Sequence, residues 1–154
     1  MKTIDKNKLN EVYQQLGSSN TMVLATAFNQ RVSARMMSFI VKDNKFYFQT
    51  DIKFHKYDDI CGNSNVALCK DNIQVEGICK EIGKPKDISW FCELYSKYHL
   101  SSYQAYSMLE NTRVFEIEPI FIQRWNYIDG NPFIEKYYLD CNQYEEIDYL
   151  GSSD

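Results

Sequence analysis

The sequence predicts a mainly β domain with flanking helices, built around an antiparallel sheet that closes or nearly closes into a barrel. Between Thr21 and Ile82, apolar residues recur at every second position in five runs, and turn residues separate the runs. A single helical pattern interrupts the series after the third run. So long a meander on one small domain favours a closed barrel, because closure removes unpaired strand edges.

Length and charge limit the classes of function. The chain has 154 residues, which fits a single domain spanning residues 1–154. Its formal net charge is -4, so we expect no general attraction to nucleic acid. Its apolar runs fall short of the roughly 20 residues that cross a bilayer, and its polar N-terminus lacks a secretory apolar segment. We therefore expect a cytoplasmic protein with no membrane partner.

The cysteines do not have the spacing of a metal site or of a disulfide scaffold. Their number is odd and no Cys-x-x-Cys pair occurs. The sequence therefore predicts reduced, buried thiols and no metal site, although the glycine after Cys61 is compatible with partial exposure there. The five residues are Cys61, Cys69, Cys79, Cys92 and Cys141.

An amphipathic helix is predicted over residues 5–16, ahead of the sheet. Asp5 is available as its N-cap and Gly17 as its stop. We expect its apolar face to lie on the sheet. That face consists of Leu9, Val12, Tyr13 and Leu16.

Turn residues divide the sheet region into strands. The first strand is predicted to end near Ala27, and a helix over 54–60 separates the third strand from the fourth. Clusters of Asn, Asp, Gly, Ser, Lys and Pro mark the breaks. The predicted breaks are 29–31, 42–45, 61–65, 71–72 and 84–87.

Two helices are predicted after the fifth strand. The apolar spacing over 88–98 is that of an amphipathic helix. Ser101 or Ser102 is expected to cap a second helix that reaches Leu109.

Strand alternation returns in the last third of the chain. One strand is predicted over 114–118, where Pro119 indicates an edge or a bend, and a hairpin follows over 120–139. The acidic tail over 142–154 is expected to be loosely ordered.

Polar and cationic residues gather where the third strand meets the following helix. Arg35 lies inside the second strand, and Thr50, Lys53, His55 and Lys56 follow the third. Hydroxyl and cationic groups beside the free N–H groups of a helix start are suited to binding a phosphate. For any one of these residues alone, a solvated strand face or an ordinary polar helix start is the better interpretation. Together they favour a phosphate site.

The order of these motifs resembles the pyridoxamine 5'-phosphate oxidase-like family of flavin-binding split barrels. The resemblance covers roughly residues 21–82, and the succession of motifs is more specific than any one of them. It implies a six-stranded antiparallel split β-barrel of Greek-key type, a homodimer, and FMN at two sites between the subunits. The motifs are Arg-Met-Met-Ser-Phe-Ile (35–40), Phe-Gln-Thr-Asp (48–51), Phe-His-Lys (54–56), Asn-Ser-Asn-Val-Ala-Leu (63–68) and Gln-Val-Glu-Gly (74–77).

The resemblance also implies a set of FMN contacts. Arg35, His55 and Lys56 match phosphate contacts, with histidine here in place of an arginine, which weakens the clamp near neutral pH. Asn72 falls where many relatives carry a glutamine that reaches the flavin ring. The remaining matches are Met36, Met37 and Ser38 along the ring, and Gln49 and Thr50 at the end of the third strand.

Departures from the family pattern concern the reaction more than the fold. Ile40 stands where the authentic oxidase has a lysine for the substrate phosphate. The family's substrate-binding Tyr/Arg/Ser helix is not recognisable in residues 88–109, nor is its arginine-rich end after Phe133. We therefore expect this chain not to be an authentic pyridoxamine phosphate oxidase.

Two classes of function remain in view from the sequence. The first is an FMN-dependent oxidoreductase whose flavin is reduced by NAD(P)H or another small donor and passes electrons to a small acceptor. The alternative is a non-catalytic module that stores or senses a flavin or haem. The sequence assigns no residue as a general acid or base. A nucleic-acid-binding barrel is disfavoured by the net charge and by the lack of a basic aromatic stripe.

Overall fold

The computed structural model describes residues 1–150 of the chain. The helices are α1 (Lys6–Leu16), α2 (His55–Gly62), α3 (Ser89–Tyr98) and α4 (Leu100–Ser102), and α4 runs into a π-helical turn at Tyr103–Ser107. A short 3₁₀ turn occupies Pro85–Asp87. The strands are β1 (Lys2–Thr3), β2 (Ser19–Phe28), β3 (Arg31–Lys42), β4 (Lys45–Asp51), β5 (Asn65–Lys70), β6 (Ile73–Gly83), β7 (Thr112–Ile128), β8 (Asn131–Tyr138) and β9 (Gln143–Asp148).

Six of the strands form a closed antiparallel barrel. They are hydrogen-bonded in the order β7-β4-β3-β2-β5-β6, and the pairing of β6 with β7 closes the ring. β8, β9 and β1 extend the sheet outward from β7. The predicted six-stranded barrel is therefore confirmed, as are the five strands between residues 19 and 83.

The barrel is split where β3 and β4 separate. These strands pair only through Ile40–Lys42 and Lys45–Tyr47, next to their connecting turn. β3 then continues alongside β2, whereas β4 continues alongside β7. Within the described residues, Arg31–Phe39 therefore has no strand on the side where β4 has departed. We call this opening the β3–β4 fork.

Alternation along the strands produces two apolar clusters. The barrel interior holds Met22, Leu24, Phe39 and Phe48, each fully buried, and α1 adds Val12 to the same cluster. This placement confirms that the apolar face of α1 lies on the sheet. The second cluster lies under α3 on the other face of β3 and β4. It contains Ile40, Tyr47, Phe91, Tyr95 and Val114.

The turns between strands occur at the predicted breaks. Asn29 and Gln30 both have positive φ (50° and 66°), and so do Asp43 and Asn44 (51° and 61°). Two successive positive φ values match a type I′ hairpin turn, whose twist suits antiparallel strands. α1 begins after Asp5, whose side chain accepts a hydrogen bond from the backbone N–H of Asn7 (2.9 Å).

The prediction of a loosely ordered tail is wrong for Gln143–Asp148. That segment is β9, which pairs with β8 on one side and with β1 on the other. The acidic composition of this segment gave no sign of a strand. Within it, Tyr144 packs against Tyr137, with ring centroids 5.0 Å apart. Residues 151–154 lie outside the described part of the chain.

The second predicted helix also needs correction. It starts at Leu100, one or two residues before the proposed serine caps, and its π turn ends at Ser107 rather than Leu109. The strands predicted over 114–118 and 120–127 are one strand, β7. Pro119 is buried within it, opposite Gly77 at a register shift, so the expected bend is a β-bulge.

The burial predicted for the cysteines is wrong for Cys69 and Cys141, whereas the exposure of Cys61 agrees with the prediction that allowed for it. Cys79 is buried and Cys92 is partly buried, but Cys61, Cys69 and Cys141 are exposed. Cys69 has an outward position on β5, and the other two lie at a helix end and in a turn. All five thiols are free.

In residues 1–150, no helix has the length and apolar character needed to cross a membrane.

A buried polar network joins α1 to the barrel, and nothing in the sequence pattern predicted it. The Arg124 guanidinium donates to both carboxylate oxygens of Glu135 (3.0 and 3.2 Å) and reaches Glu11 on α1 (3.2 Å). Tyr137 and Asn126 also donate to Glu135, whose side chain is 1% exposed. Four hydrogen bonds therefore compensate a carboxylate taken out of water.

Glu135→Ala should lower the free energy of unfolding by about 3–5 kcal/mol, because it leaves Arg124 buried without its carboxylate. Urea unfolding followed by circular dichroism measures the loss. Asp43→Asn is the matched control, because it breaks the exposed Lys42–Asp43 pair and should change stability little. A loss below about 1 kcal/mol for Glu135→Ala would mean that the network does not compensate the buried charge in the way described.

Candidate functional site

A cavity of about 430 Å³ opens at the β3–β4 fork. β3 and β4 form two of its walls, the start of α2 forms one end, and the segment from α3 to β7 forms a roof. The volume falls within the usual range for small-molecule sites. The lining residues are Met36, Met37, Ser38, Gln49, Thr50, Asp51, Phe54, Lys56, Tyr95, Ser102, Tyr106, Leu109 and Thr112.

The β3 wall presents backbone polar groups to the cavity. Val41 donates its backbone N–H to Ser18 O across to β2 (2.8 Å). Because backbone groups alternate in direction along a strand, those of Met36 and Ser38 face the fork. β4 has left this edge, so these N–H and C=O groups are available to a bound molecule.

The β4 wall contains a buried hydroxyl without a partner. Thr50 Oγ1 is inaccessible to solvent and makes no hydrogen bond within the described residues. Its neighbour Gln49 accepts a hydrogen bond at Oε1 from the Ser107 hydroxyl (2.7 Å), which ties β4 to the roof. A buried polar atom left unpaired costs free energy, and such atoms are uncommon in folded proteins. Thr50 is therefore positioned for a ligand.

Two cations, Lys56 in the cavity wall and Arg35 beside it, influence one another. Burial lowers the pKa of Lys56, and the positive charge of Arg35 lowers it further. Burial also lowers the pKa of Arg35, while the nearby Asp59 carboxylate acts in the opposite direction. Both shifts mean that the charged forms are poorly compensated in this site. A bound anion would supply the missing compensation.

A hydrogen-bonded chain fixes the Arg35 side chain. Its Nη1 donates to Thr26 Oγ1 (2.8 Å) and to Leu24 O (3.3 Å). Thr26 in turn donates its hydroxyl proton to Asp59 Oδ2 (2.8 Å). Asp59 is 3% exposed, so α2 holds the guanidinium in place through a buried carboxylate.

His55 lies beside this cluster and not in the cavity wall. Its Nε2 is 3.3 Å from Asp59 Oδ1, and about half of its side chain is exposed. Its predicted contact with a phosphate stays a prediction. At the same helix start, the N-cap residue Phe54 makes no side-chain capping bond. The first amides of α2 therefore lack the usual side-chain acceptor and favour an anion.

Asn72 is placed away from the other predicted site residues within one chain. It lies in the β5–β6 turn, where its amide accepts from Gln15 Nε2 (2.6 Å) and donates to Trp125 O. It does not line the cavity. Its predicted contact with a flavin ring therefore requires a second subunit and stays a prediction.

The roof was not identified as part of the site from the sequence. Tyr95 has the apolar spacing of α3 and is 2% exposed, so the pattern alone indicated a core residue. The structure instead places Tyr95 in the cavity wall, with its hydroxyl 2.9 Å from Ser102 Oγ. Burial raises the pKa of Tyr95 above its ordinary value, so the phenol stays protonated near neutral pH. No sequence pattern predicts the contact between Tyr95 and Ser102, because it forms only when the roof is folded.

The arrangement fits a phosphorylated planar ligand. Arg35, Lys56, the Thr50 hydroxyl and the α2 amides suit a phosphate group. The strand edge at Met36 and Ser38 suits the edge of a flat polar ring. Six of the nine residues predicted from the sequence line the cavity, and Arg35 and His55 lie next to it.

Comparison with known proteins agrees with this architecture. A family model described as pyridoxamine 5'-phosphate oxidase matches residues 9–126. No curated protein sequence matches the chain.

Solved structures share the fold at low sequence identity. General Stress Protein 26 from Bacillus anthracis str. Sterne is 24% identical (TM-score 0.59), with 92% of this chain and 98% of that chain covered. A pyridoxamine 5'-phosphate oxidase-related, FMN binding protein from Nostoc punctiforme is 16% identical (TM-score 0.60; 82% and 85% covered). HutZ, the haem storage protein of Vibrio cholerae, is 12% identical (TM-score 0.57; 77% and 91% covered). At these identities the likeness concerns the fold alone.

Lys56→Met should raise the melting temperature of the ligand-free protein at pH 7. The substitution removes a desolvated charge that faces Arg35, while a long apolar side chain still covers Phe54. The pKa of Lys56 is lower in the folded chain than its ordinary 10.5, so its charge destabilises the fold below the folded-state pKa. The gain should therefore shrink as the pH rises towards 10.5.

Thermal unfolding at several pH values measures this difference. Lys53→Met is the control, because Lys53 is exposed on the same segment and outside the cavity wall. If Lys56→Met were less stable than Lys53→Met at pH 7, the two cations would not oppose one another in the folded chain.

Proposed function

The chain belongs to the pyridoxamine 5'-phosphate oxidase family, and on this premise we propose that it is an FMN-dependent oxidoreductase. One observation carries the proposal. Lys56 and the unpaired, buried Thr50 hydroxyl line a cavity that opens on a free strand edge, and the Arg35 charge is close enough to Lys56 to lower its pKa. A flavin mononucleotide has a phosphate for the two cations and the hydroxyl, and a flat polar ring for the strand edge.

The phosphate end is specified by charge. A phosphate beside Arg35 and Lys56 relieves their mutual repulsion and gains charge-assisted hydrogen bonds from both. Thr50 Oγ1 donates a third hydrogen bond, which removes the cost of leaving that hydroxyl unpaired. His55 adds positive charge only when it is protonated, and Asp59 already faces it.

The β3–β4 fork provides the groups that would contact the flavin ring. The backbone groups of Met36 and Ser38 offer donors and acceptors along one line, and the amide of Gln49 lines the opposite wall. The bound flavin supplies the redox chemistry. The protein orients the ring, holds the phosphate and limits the access of water.

The active form in this proposal is a homodimer. Met36, Phe54, Tyr106 and Leu109 are each more than half exposed and surround the mouth of the cavity. An apolar rim of this kind is typical of an interaction surface. A second subunit seated on it would enclose the ring, and its Asn72 is the candidate for the ring contact that one chain does not provide.

The substrate is not the phosphate ester of the authentic oxidase. Ile40, at the position of the expected lysine, is fully buried under α3 with Tyr95. It therefore supplies no charge to the cavity. A nicotinamide dinucleotide or another small donor reduces the flavin in this proposal. The free state of all five cysteines supports a reducing compartment such as the cytoplasm.

The alternative is a storage or sensor module for flavin or haem. One structural neighbour is named a haem storage protein. Both histidines of this chain are engaged outside the cavity wall, His55 with Asp59 and His99 with Phe39 O. These contacts favour FMN over a histidine-ligated haem.

Lys56→Ala and Arg35→Ala should each weaken FMN binding about 10- to 100-fold, because each removes a charge-assisted hydrogen bond to the phosphate. Neither substitution should change the affinity for riboflavin, which lacks the phosphate. Fluorescence titration of the flavin-free protein measures both ligands. Thr50→Val should weaken FMN by about fivefold to tenfold, as expected for one neutral hydrogen bond.

The control variant is Lys53→Ala, which changes a neighbouring charge outside the cavity wall and should leave both affinities unaltered. If FMN and riboflavin lost affinity equally in the Lys56 variant, the phosphate would not be bound by this cluster.

Purified protein should have the visible bands of oxidised flavin, and these should bleach when NADH or NADPH is added without oxygen. Bleaching supports the oxidoreductase, because the donor then has access to the ring. Bound flavin that stays oxidised with NADH and with NADPH would favour storage or sensing. A small chemical reductant is the positive control and should bleach the flavin. A Soret band in place of flavin bands would indicate haem.

A further inference from the structure

The roof end of the cavity is uncharged. Among the lining residues only Lys56 and Asp51 carry formal charge. Lys56 belongs to the phosphate end beside Arg35, and Asp51 Oδ1 accepts the backbone N–H of Lys53 (2.8 Å). The other lining groups near the roof are apolar, aromatic or hydroxyl-bearing. They are Met36, Ser38, Tyr95, Ser102, Tyr106 and Leu109.

A pair of hydroxyls is the main polar feature of this end. Tyr95 and Ser102 are hydrogen-bonded to each other at 2.9 Å, and either oxygen is able to act as the donor. Ser38 on β3 approaches the same phenol closely enough to oppose the rise in its pKa. Three neutral groups from three elements, α3, α4 and β3, therefore converge on one point of the wall.

Packing of the Tyr95 ring fixes the position of its hydroxyl. Its ring stacks on Phe91 with centroids 4.9 Å apart, and Ile40 packs in the same buried cluster. Ser107 and Thr112 secure the roof from two further sides through bonds to Gln49 Oε1 (2.7 Å) and Tyr106 O (2.7 Å). A hydroxyl held by so many contacts keeps its direction when a ligand enters.

His99, an ionisable residue that contacts the Tyr95 ring, lies outside the cavity wall. His99 contacts the Tyr95 ring at 5.1 Å between centroids, but its Nε2 is bonded to Phe39 O (3.0 Å) and it does not line the cavity. A carbonyl oxygen only accepts hydrogen bonds, so His99 Nε2 carries a proton and donates it to Phe39 O. An anionic substituent at the roof would therefore lose its hydration without gaining a cationic partner.

We propose that the roof end binds an uncharged, carbonyl-bearing aromatic ring of the quinone class as the electron acceptor, with the Tyr95–Ser102 pair as hydrogen-bond donor to one carbonyl. The inference rests on the proposed flavin function and names the substrate class of that same site. The ligand must be reducible because the neighbouring group is a flavin, neutral because the wall is neutral, and flat because the cavity lies between a strand edge and an aromatic roof.

The reaction balances if the nicotinamide or other small donor of the proposed function has first reduced the FMN. Two-electron reduction of a quinone to its hydroquinone takes a hydride equivalent from anionic reduced FMN and one proton from solvent. The Tyr95 and Ser102 hydroxyls relay that proton to the oxygen they are bonded to and recover it from water. Two C=O bonds become two C–OH groups, and FMN returns to its oxidised form.

Calorimetric titration of the oxidised, FMN-loaded protein tests the inference without turnover. The probes are 2,3-dimethyl-1,4-naphthoquinone and an analogue in which a carboxylate replaces one methyl group. Both ring positions are substituted, which prevents addition of the exposed cysteine thiols. The neutral ring should bind at least tenfold more tightly than the carboxylate. Tyr95→Phe should weaken the neutral ring about fivefold, the value of one hydrogen bond.

Ser102→Ala provides a second variant that leaves the aromatic packing of α3 intact, and it should also weaken the neutral ring. Tyr98→Phe is the matched control, because Tyr98 lies on the same helix outside the cavity wall and should leave affinity unchanged. Equal or tighter binding of the carboxylate would overturn the inference. So would unchanged affinity in both the Tyr95 and the Ser102 variants.

The FMN content of every sample separates this inference from the proposed function. Wild-type protein that takes up no FMN would contradict both. Wild-type protein that is loaded with FMN but does not discriminate between the two probes would contradict only the substrate class. A Tyr95→Phe sample with normal FMN content and an unchanged melting temperature shows that its weaker quinone binding is not a failure to fold.

Discussion

The separation of β3 from β4 after three residue pairs is the constraint on which the rest of the site depends. The pairing of β6 with β7 completes the barrel although these two strands separate. The fork therefore leaves a polar strand edge exposed without opening the core, since Phe39 and Phe48 stay fully buried on the inner side. A free edge is ordinarily a liability in a β protein. Here the roof covers part of it and leaves a cavity.

The positive charges near the fork are desolvated and poorly compensated within the described residues. Arg35 is directed by Thr26 and Asp59, and this direction brings it towards Lys56 instead of away from it. A side chain selected for stability alone would not place two desolvated cations together. Strained or poorly compensated groups of this kind tend to cluster at functional sites. The Arg124–Glu135 network at the other end of the barrel is the contrasting case, because every charge there has a partner.

Much of the barrel and half of the site could be predicted from local signals. Period-two alternation, type I′ turn residues and the Arg35, Thr50 and Lys56 positions are all readable along the chain. The roof, β9 and the Arg124 network were not predicted, because each depends on contacts between segments distant in sequence. Tyr95 has the spacing of a core residue in α3, and only the fold of the following turn brings Ser102 to its hydroxyl. Acidic residues likewise hid the strand that carries Tyr144.

The two ends of the cavity are built from different parts of the chain. Substitutions at one end therefore need not alter the other end. The phosphate end comes from β3, β4 and the start of α2, whereas the roof comes from the connection between β6 and β7. A change in that connection alters what lies beside the cofactor without moving Arg35 or Lys56. In the proposed function, the cofactor site and the substrate site therefore come from separate parts of the chain.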